Sequence, residues 1–215
     1  WPLLAEPASG LTGDSVLFGA EAFLRSERGD LRPDLVLRFG RSPTARSVSE
    51  YLAGLDSVPS WLIEASGRLW DAERVGCNVI ALDPEAVLGV RTGEQQEGWL
   101  SLWQRASEQA SLSLEIVMNA ASKIWSGAVV RELWSCLDES EDLHVASSMA
   151  IRDLGSFADL SRGGPRVSAN RGTNGIDGTI ACAVGQARAS GRKTTVMLGD
   201  LALLHDQASL GLVGD

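Results

Sequence analysis

Asp200 follows directly on Thr194-Thr195-Val196-Met197-Leu198, an uncharged run of strand length, with only Gly199 between them. In open α/β sheets, ligands bind outside the carboxyl ends of the strands. A glycine there lets backbone approach a ligand closely. A carboxylate there is a hard oxygen donor suited to Mg²⁺ and a bound diphosphate. The same placement also suits a helix N-cap, and spacing alone favours that plainer role.

Two further clusters could do chemistry. Arg171-Gly172-Thr173-Asn174-Gly175-Ile176-Asp177-Gly178 packs glycines around an Asn-Gly pair, a composition that demands unusual backbone angles. It opens the helix that carries Ile176, which predicts backbone N–H groups pointing outward at that start. A tight loop capped by Asp177 fits equally well. Ser147-Ser148-Met149-Ala150-Ile151-Arg152-Asp153 follows a short apolar run. Its serines could donate to a ligand or cap a helix. Arg152 could clamp a carboxylate or lie on the surface. Between Val145 and Ile176, four arginines (152, 162, 166 and 171) face two aspartates (153 and 159), a local +2 within a chain of −9. Such a zone suits an anionic substrate.

These clusters need elements to hold them. Leu35-Val36-Leu37-Arg38-Phe39, Trp61-Leu62-Ile63 and Asn78-Val79-Ile80-Ala81-Leu82 read as strands. Residues 15–26, ahead of them, and 44–54, between the first two, read as helices. Trp99, Leu102, Trp103, Ala106 and Ala110 form an apolar helical stripe. A second helix runs through Val130, Leu133, Trp134 and Leu137, with Ser126-Gly127 at its start. Leu143-His144-Val145-Ala146 reads as a strand, with His144 a packed or edge residue. Residues 156–170 read as a loop. Ile176, Ile180 and Val184 share one helix face, and Thr194–Leu198 reads as a central parallel strand. Strands alternating with helices predict an α/β fold of two parallel-sheet domains, 1–118 and 119–215.

The bulk properties exclude several classes. A net charge of −9 argues against a nucleic-acid or anionic-membrane surface. No apolar run approaches the roughly 20 residues of a membrane span. Cys77, Cys136 and Cys182 make neither a disulfide framework nor a metal-ligand pattern, and read as buried thiols in a reducing cytosol. The start, Trp1-Pro2-Leu3-Leu4-Ala5-Glu6, lacks Met and any signal-peptide pattern, so the chain reads as trimmed.

Taken in order, the three clusters resemble one family of thiamine-diphosphate enzymes, the 2-succinyl-5-enolpyruvyl-6-hydroxy-3-cyclohexene-1-carboxylate synthases of menaquinone biosynthesis. The resemblance lies in Ser147–Asp153, Arg171–Gly178 and Gly199-Asp200-Leu201-Ala202-Leu203-Leu204-His205-Asp206. It is strongest over residues 143–210. Trp1-Pro2-Leu3-Leu4-Ala5-Glu6-Pro7 is similar to the start of the family's central domain. Ser147 stands where the family often has Asn, Thr173 where it often has Ala, and Ala45 replaces one member of a basic pair that leaves Arg46. Other thiamine-diphosphate enzymes usually carry Gly at the position of Leu201, and a non-catalytic nucleotide-binding module is the remaining alternative.

The resemblance implies a central domain and the first part of a diphosphate-binding domain, within a homodimeric or homotetrameric cytoplasmic enzyme. It implies decarboxylation of 2-oxoglutarate and conjugate addition of the succinyl carbanion to isochorismate. It assigns Asp200 to Mg²⁺ or Mn²⁺. It assigns Ser147, Ser148, Met149, Asn174, Gly175, Ile176, Gly199, Asp200, Leu201 and Ala202 to the cofactor. Arg152, Arg171, Ile176 and Ser148 become the catalytic set, with Ile176 bending the cofactor and the arginines meeting substrate carboxylates. His205 supports the diphosphate loop. The pyrimidine-binding domain, with its activating glutamate, and a second metal ligand are expected to lie outside this chain.

Overall fold

The structure, a computed structural model, describes residues 1–26, 31–71, 77–87, 97–172 and 174–214. They form an α/β architecture with two parallel three-stranded sheets. The chain divides into two compact units: Trp1 with Ala20–Ala110, and Pro2–Gly19 with Ser111–Asp215.

The first unit holds α1 (Ala20–Ser26), β1 (Val36–Phe39), α2 (Arg46–Ala53), β2 (Ser60–Ile63), β3 (Asn78–Ile80) and the first half of α3 (Trp99–Ala120). Its strands lie in the order β1-β2-β3, with Val36 opposite Ser60 and Trp61 opposite Asn78. Trp103 anchors the helical side. Its ring meets those of Phe23, Tyr51 and Trp99 edge-on, with centroids 5.7–6.0 Å apart. The Tyr51 hydroxyl donates to the Leu31 carbonyl, and burial pushes its pKa up to about 12. Arg38 is buried on β1 and paired with Asp71 at 2.9 Å. Arg46 makes an exposed one-turn pair with Glu50. The stretch 15–26 is helical only from Ala20, because Val16 pairs instead with Leu3.

The second unit holds α4 (Ser126–Cys136), β4 (Asp142–Val145), α5 (Met149–Phe157), β5 (Arg166–Ala169), α6 (Thr179–Ser190), β6 (Thr194–Met197) and α7 (Asp200–His205). Strand order is β5-β4-β6, all parallel. Leu143 and Val145 pack with Val130 and Trp134 of α4 and with Ile151 and Leu154 of α5. The opposite face of β4 turns toward α6: Ser190 donates to Asp142, and His144 Nδ1 lies 2.8 Å from Ser168 Oγ, which donates on to Gln186.

Three further expectations change here. The stretch 156–170 contains a strand, β5. It was illegible because it is short, polar and flanked by glycine, and Val167 is its one buried residue. The uncharged run Thr194–Leu198 is a strand, but β4 and not β6 holds the middle of the described sheet. Cys136 and Cys182 are exposed, on the outward faces of α4 and α6, so the buried-thiol reading fails for both.

Asp142 ties the three strands together at their N-terminal ends. Its carboxylate is fully buried on β4. Arg166 of β5 grips it with Nε at 3.0 Å and Nη2 at 2.7 Å, and Arg192, just before β6, adds Nε at 2.9 Å. Burial alone would raise its pKa; hydrogen bonds from Arg166, Gln186 and Ser190 outweigh this and hold it at about 2. Burial holds the His144 imidazole below its ordinary value, against a smaller opposing effect of Gln186.

Acid should therefore unfold this unit in two stages. His144 contributes full stability above the free imidazole value of about 6.5 and loses it as pH falls further. Asp142 contributes fully above the free carboxylate value of about 3.9 and loses it as pH falls toward its folded value. Urea unfolding as a function of pH checks this: His144→Gln should remove the first decline and Asp142→Asn the second. At neutral pH, Asp142→Ala should cost about 3 kcal/mol, the low end for breaking a buried pair, because Arg166 and Arg192 still reach solvent.

Candidate functional site

Parallel pairing sends the segments after β4, β5 and β6 out of one edge of the sheet. These segments are Ala146–Met149, Asn170–Gly178 and Leu198–Ala202, the three clusters of the sequence. The ladder continues past the strands through Ala146 N–H to the Met197 carbonyl at 2.9 Å. Ser147, nearly buried, donates its hydroxyl to the Asn170 carbonyl and joins the β4 and β5 turns.

The two arginines meet this same turn. Arg171 Nη1 reaches the Ser147 carbonyl at 3.4 Å, and Arg152 Nη1 reaches the Ser148 carbonyl at 2.7 Å. Guanidinium groups from β5's turn and from α5 thus sit on consecutive carbonyls at the end of the central strand. Ser148 occupies the N-cap position of α5, yet its hydroxyl makes no capping bond. The capping role considered from sequence does not use it.

The Asn174–Gly178 segment bends as its composition requires. Asn174 has φ 60° and Gly178 φ 70°, both left-handed. Thr173 lies outside the described residues. The helix begins at Thr179, so Ile176 precedes it and is 41% exposed. Ile176 therefore does not share a helix face with Ile180 and Val184 as expected; Ile180 is the buried one. The expected free N–H groups at this helix start are also taken. Asp206 Oδ2 accepts from Ile180 N–H at 2.6 Å and Ala181 N–H at 3.3 Å.

Asp200 opens α7 at the end of β6 and is exposed. Its Oδ1 accepts the Leu201 N–H at 2.8 Å, and among the described residues no hydrogen bond holds its Oδ2. Gly199 has ordinary extended angles, and a Cβ there would meet nothing within 4 Å among the described residues; the same holds at Gly172. Neither glycine is demanded by packing against the described residues. Met149 and Leu201, on the segments after β4 and β6, stand 60% and 69% exposed, while Ala202 is the buried residue of α7. Open backbone, an under-used carboxylate, two guanidiniums and exposed apolar side chains make a surface that fits an anion attached to an apolar ring. Among the described residues no group of three or more His, Cys, Asp or Glu could hold a metal by itself, so a cation at Asp200 would need oxygens from a ligand and water, as Mg²⁺ commonly uses.

Sequence reasoning missed the work of Asp206. It looked to His205, which is exposed and whose imidazole makes no hydrogen bond among the described residues. The neighbouring carboxylate does the holding. No local spacing could reveal it, because the first amide it accepts from, that of Ile180, lies 26 residues earlier in the chain. Ser209 Oγ, at 2.6 Å from Oδ1, together with the Ile180 and Ala181 amides, holds the Asp206 carboxyl below the usual range against the effect of burial.

No protein-family model matches the chain. Individual relatives do. A 2-succinyl-5-enolpyruvyl-6-hydroxy-3-cyclohexene-1-carboxylate synthase of Bacillus velezensis is 32% identical over 218 residues, covering 96% of this chain and 37% of that protein. The synthase so named from Rubrobacter xylanophilus is 35% identical, covering 86% and 33%. That of Oceanobacillus iheyensis is 33% identical, covering 97% and 38%. By sequence, the chain belongs to this synthase family. It spans less than two fifths of the length of these synthases. No described helix is long and apolar enough to cross a membrane.

The two kinds of glycine should separate experimentally. Gly178→Ala forces a side chain into a left-handed angle and should cost about 1 kcal/mol. Gly199→Ala should stay within about 0.5 kcal/mol of the parent. Denaturant midpoints of the two variants check this.

Proposed function

We propose that the 119–215 part of the chain forms one wall of a site for thiamine diphosphate and Mg²⁺ or Mn²⁺ in a full-length synthase. Residues 1–118 correspond to that enzyme's central domain. The enzyme is a transferase of menaquinone biosynthesis that decarboxylates 2-oxoglutarate and adds the succinyl unit to isochorismate. When bound, thiamine diphosphate supplies the carbanion chemistry. Because the chain spans less than two fifths of its relatives, the activity is assigned to the full-length protein, working in the cytoplasm as a homodimer or homotetramer. The 215 residues alone are expected to be inactive.

The observation that carries this reading is the meeting of Arg171 and Arg152 on the Ser147 and Ser148 carbonyls, at the same sheet edge as Asp200. Both substrates are carboxylates, and two guanidiniums held by backbone are pre-oriented for them. Asp200 would hold the metal with its unengaged oxygen. Gly199, Leu201 and Ala202 would line the diphosphate, with Asn174 and Gly175 across from them. Ile176 and Met149 would pack on the apolar ring, and the Ser147–Ser148 turn would orient a bound carboxylate through the Ser148 hydroxyl. The net charge of −9 agrees with small anionic ligands met locally and gives no support to nucleic acid or membrane as partners.

Calorimetric titration of the full-length protein tests the reading. Asp200→Ala should weaken joint binding of Mg²⁺ and thiamine diphosphate by roughly 100-fold. Gly199→Ala should weaken it while leaving stability unchanged. Arg152→Ala and Arg171→Ala should each lower kcat/KM for 2-oxoglutarate or isochorismate by at least about tenfold, with cofactor affinity preserved. Turnover of pyruvate alone, or full cofactor affinity in Asp200→Ala, would contradict it.

A further inference from the structure

The geometry points to Asp206 as a positioning residue that fixes the Asp200 turn against the Ile176 turn, an inference that rests on the cofactor reading above. α7 is six residues long, too short to be stable alone. It also buries little: Leu201, Leu203 and Leu204 are all exposed, and Ala202 is its one buried residue. Packing therefore does little to fix where Asp200 stands. What fixes α7 is its two ends. One end continues from β6 through Gly199. The other is Asp206, whose Oδ2 accepts from the first-turn amides of α6.

Those α6 amides need an outside acceptor, because the residue at their own N-cap position, Gly178, has no side chain. Asp206 thus satisfies donors that the loop carrying Asn174, Gly175 and Ile176 leaves open. One carboxylate locks the end of that loop and the end of the Asp200 helix to each other. Ser209 Oγ holds the second oxygen at 2.6 Å, so both oxygens serve this chain. A second tie lies beyond it: Arg188 of α6 donates at 2.8 Å to the carbonyl of Leu212, in the 3-10 helix Gln207–Val213. Asp206 touches no reacting atom. It acts by holding Asp200 and Ile176 in a fixed relation, and a displacement of a metal ligand by a fraction of an ångström is enough to weaken a metal.

The test uses the full-length protein carrying Asp206→Ala, Asp206→Asn or Ser209→Ala. Asp206→Ala should raise the Mg²⁺ and thiamine diphosphate dissociation constants by roughly tenfold or more, with the KM of both substrates unchanged once cofactor is saturating. Asp206→Asn, which keeps one acceptor oxygen, should recover much of the loss, and Ser209→Ala should show a smaller effect of the same kind. Without cofactor, amide hydrogen exchange should rise across residues 200–205 in Asp206→Ala and stay unchanged in β4. A lowered melting temperature with unaltered cofactor affinity would make Asp206 a simple cap and overturn the inference. If Asp206→Ala does not fold, the same comparison in Asp206→Asn and Ser209→Ala decides. A parent protein that binds no thiamine diphosphate would instead defeat the cofactor reading, and the inference with it.

Discussion

The buried Asp142 carboxylate sets the geometry on which the site depends. A parallel sheet delivers its strand ends to one edge only if its register is fixed, and a slip by one residue would turn every side chain to the other face. Asp142 fixes it from the far edge. Arg166 belongs to β5 and Arg192 enters β6, so one carboxylate on β4 binds both neighbours. The clamp is costly in isolation, since a buried charge must be fully paired. Here the two arginines and Ser190 supply that pairing. The turns at the opposite edge inherit the alignment.

At that edge the chain combines groups with different demands. The Ser147–Ser148 turn is nearly buried on one side and offers two carbonyls to arginines. The Asn174–Gly178 turn is bent into left-handed angles that place an aliphatic side chain in solvent. The Gly199–Asp200 turn is open, and a short helix hardly packed against the body follows it. Exposed apolar side chains and uncrowded glycines cost stability or gain nothing for it. Their concentration beside two guanidiniums and a carboxylate is what a ligand site would retain.

Much of this was legible in the sequence. Uncharged Thr194–Leu198 read as a strand ending at Gly199-Asp200, and the Asn-Gly cluster read as a strained turn, because both signals are local. Relations between distant segments were not legible. β5 looked like loop, since an edge strand with one buried residue has little pattern to show. β4 took the middle of the sheet in place of β6. The α6 amides looked free, because the carboxylate that fills them arrives from beyond the next strand. The resemblance to the synthases carried the three clusters as a set, while the roles of Asp142 and Asp206 required coordinates.

The central claim, that these three turns enclose one diphosphate and metal site, can be tested by methyl resonance in the full-length protein. Met149, Ile176 and Leu201 are methyl-bearing residues, one on each turn and all exposed. Addition of Mn²⁺ with thiamine diphosphate should broaden all three together, through proximity to the paramagnetic ion. Unchanged signals at these three, with broadening instead at Leu137 and Leu160, which precede β4 and β5 in the chain, would contradict the account.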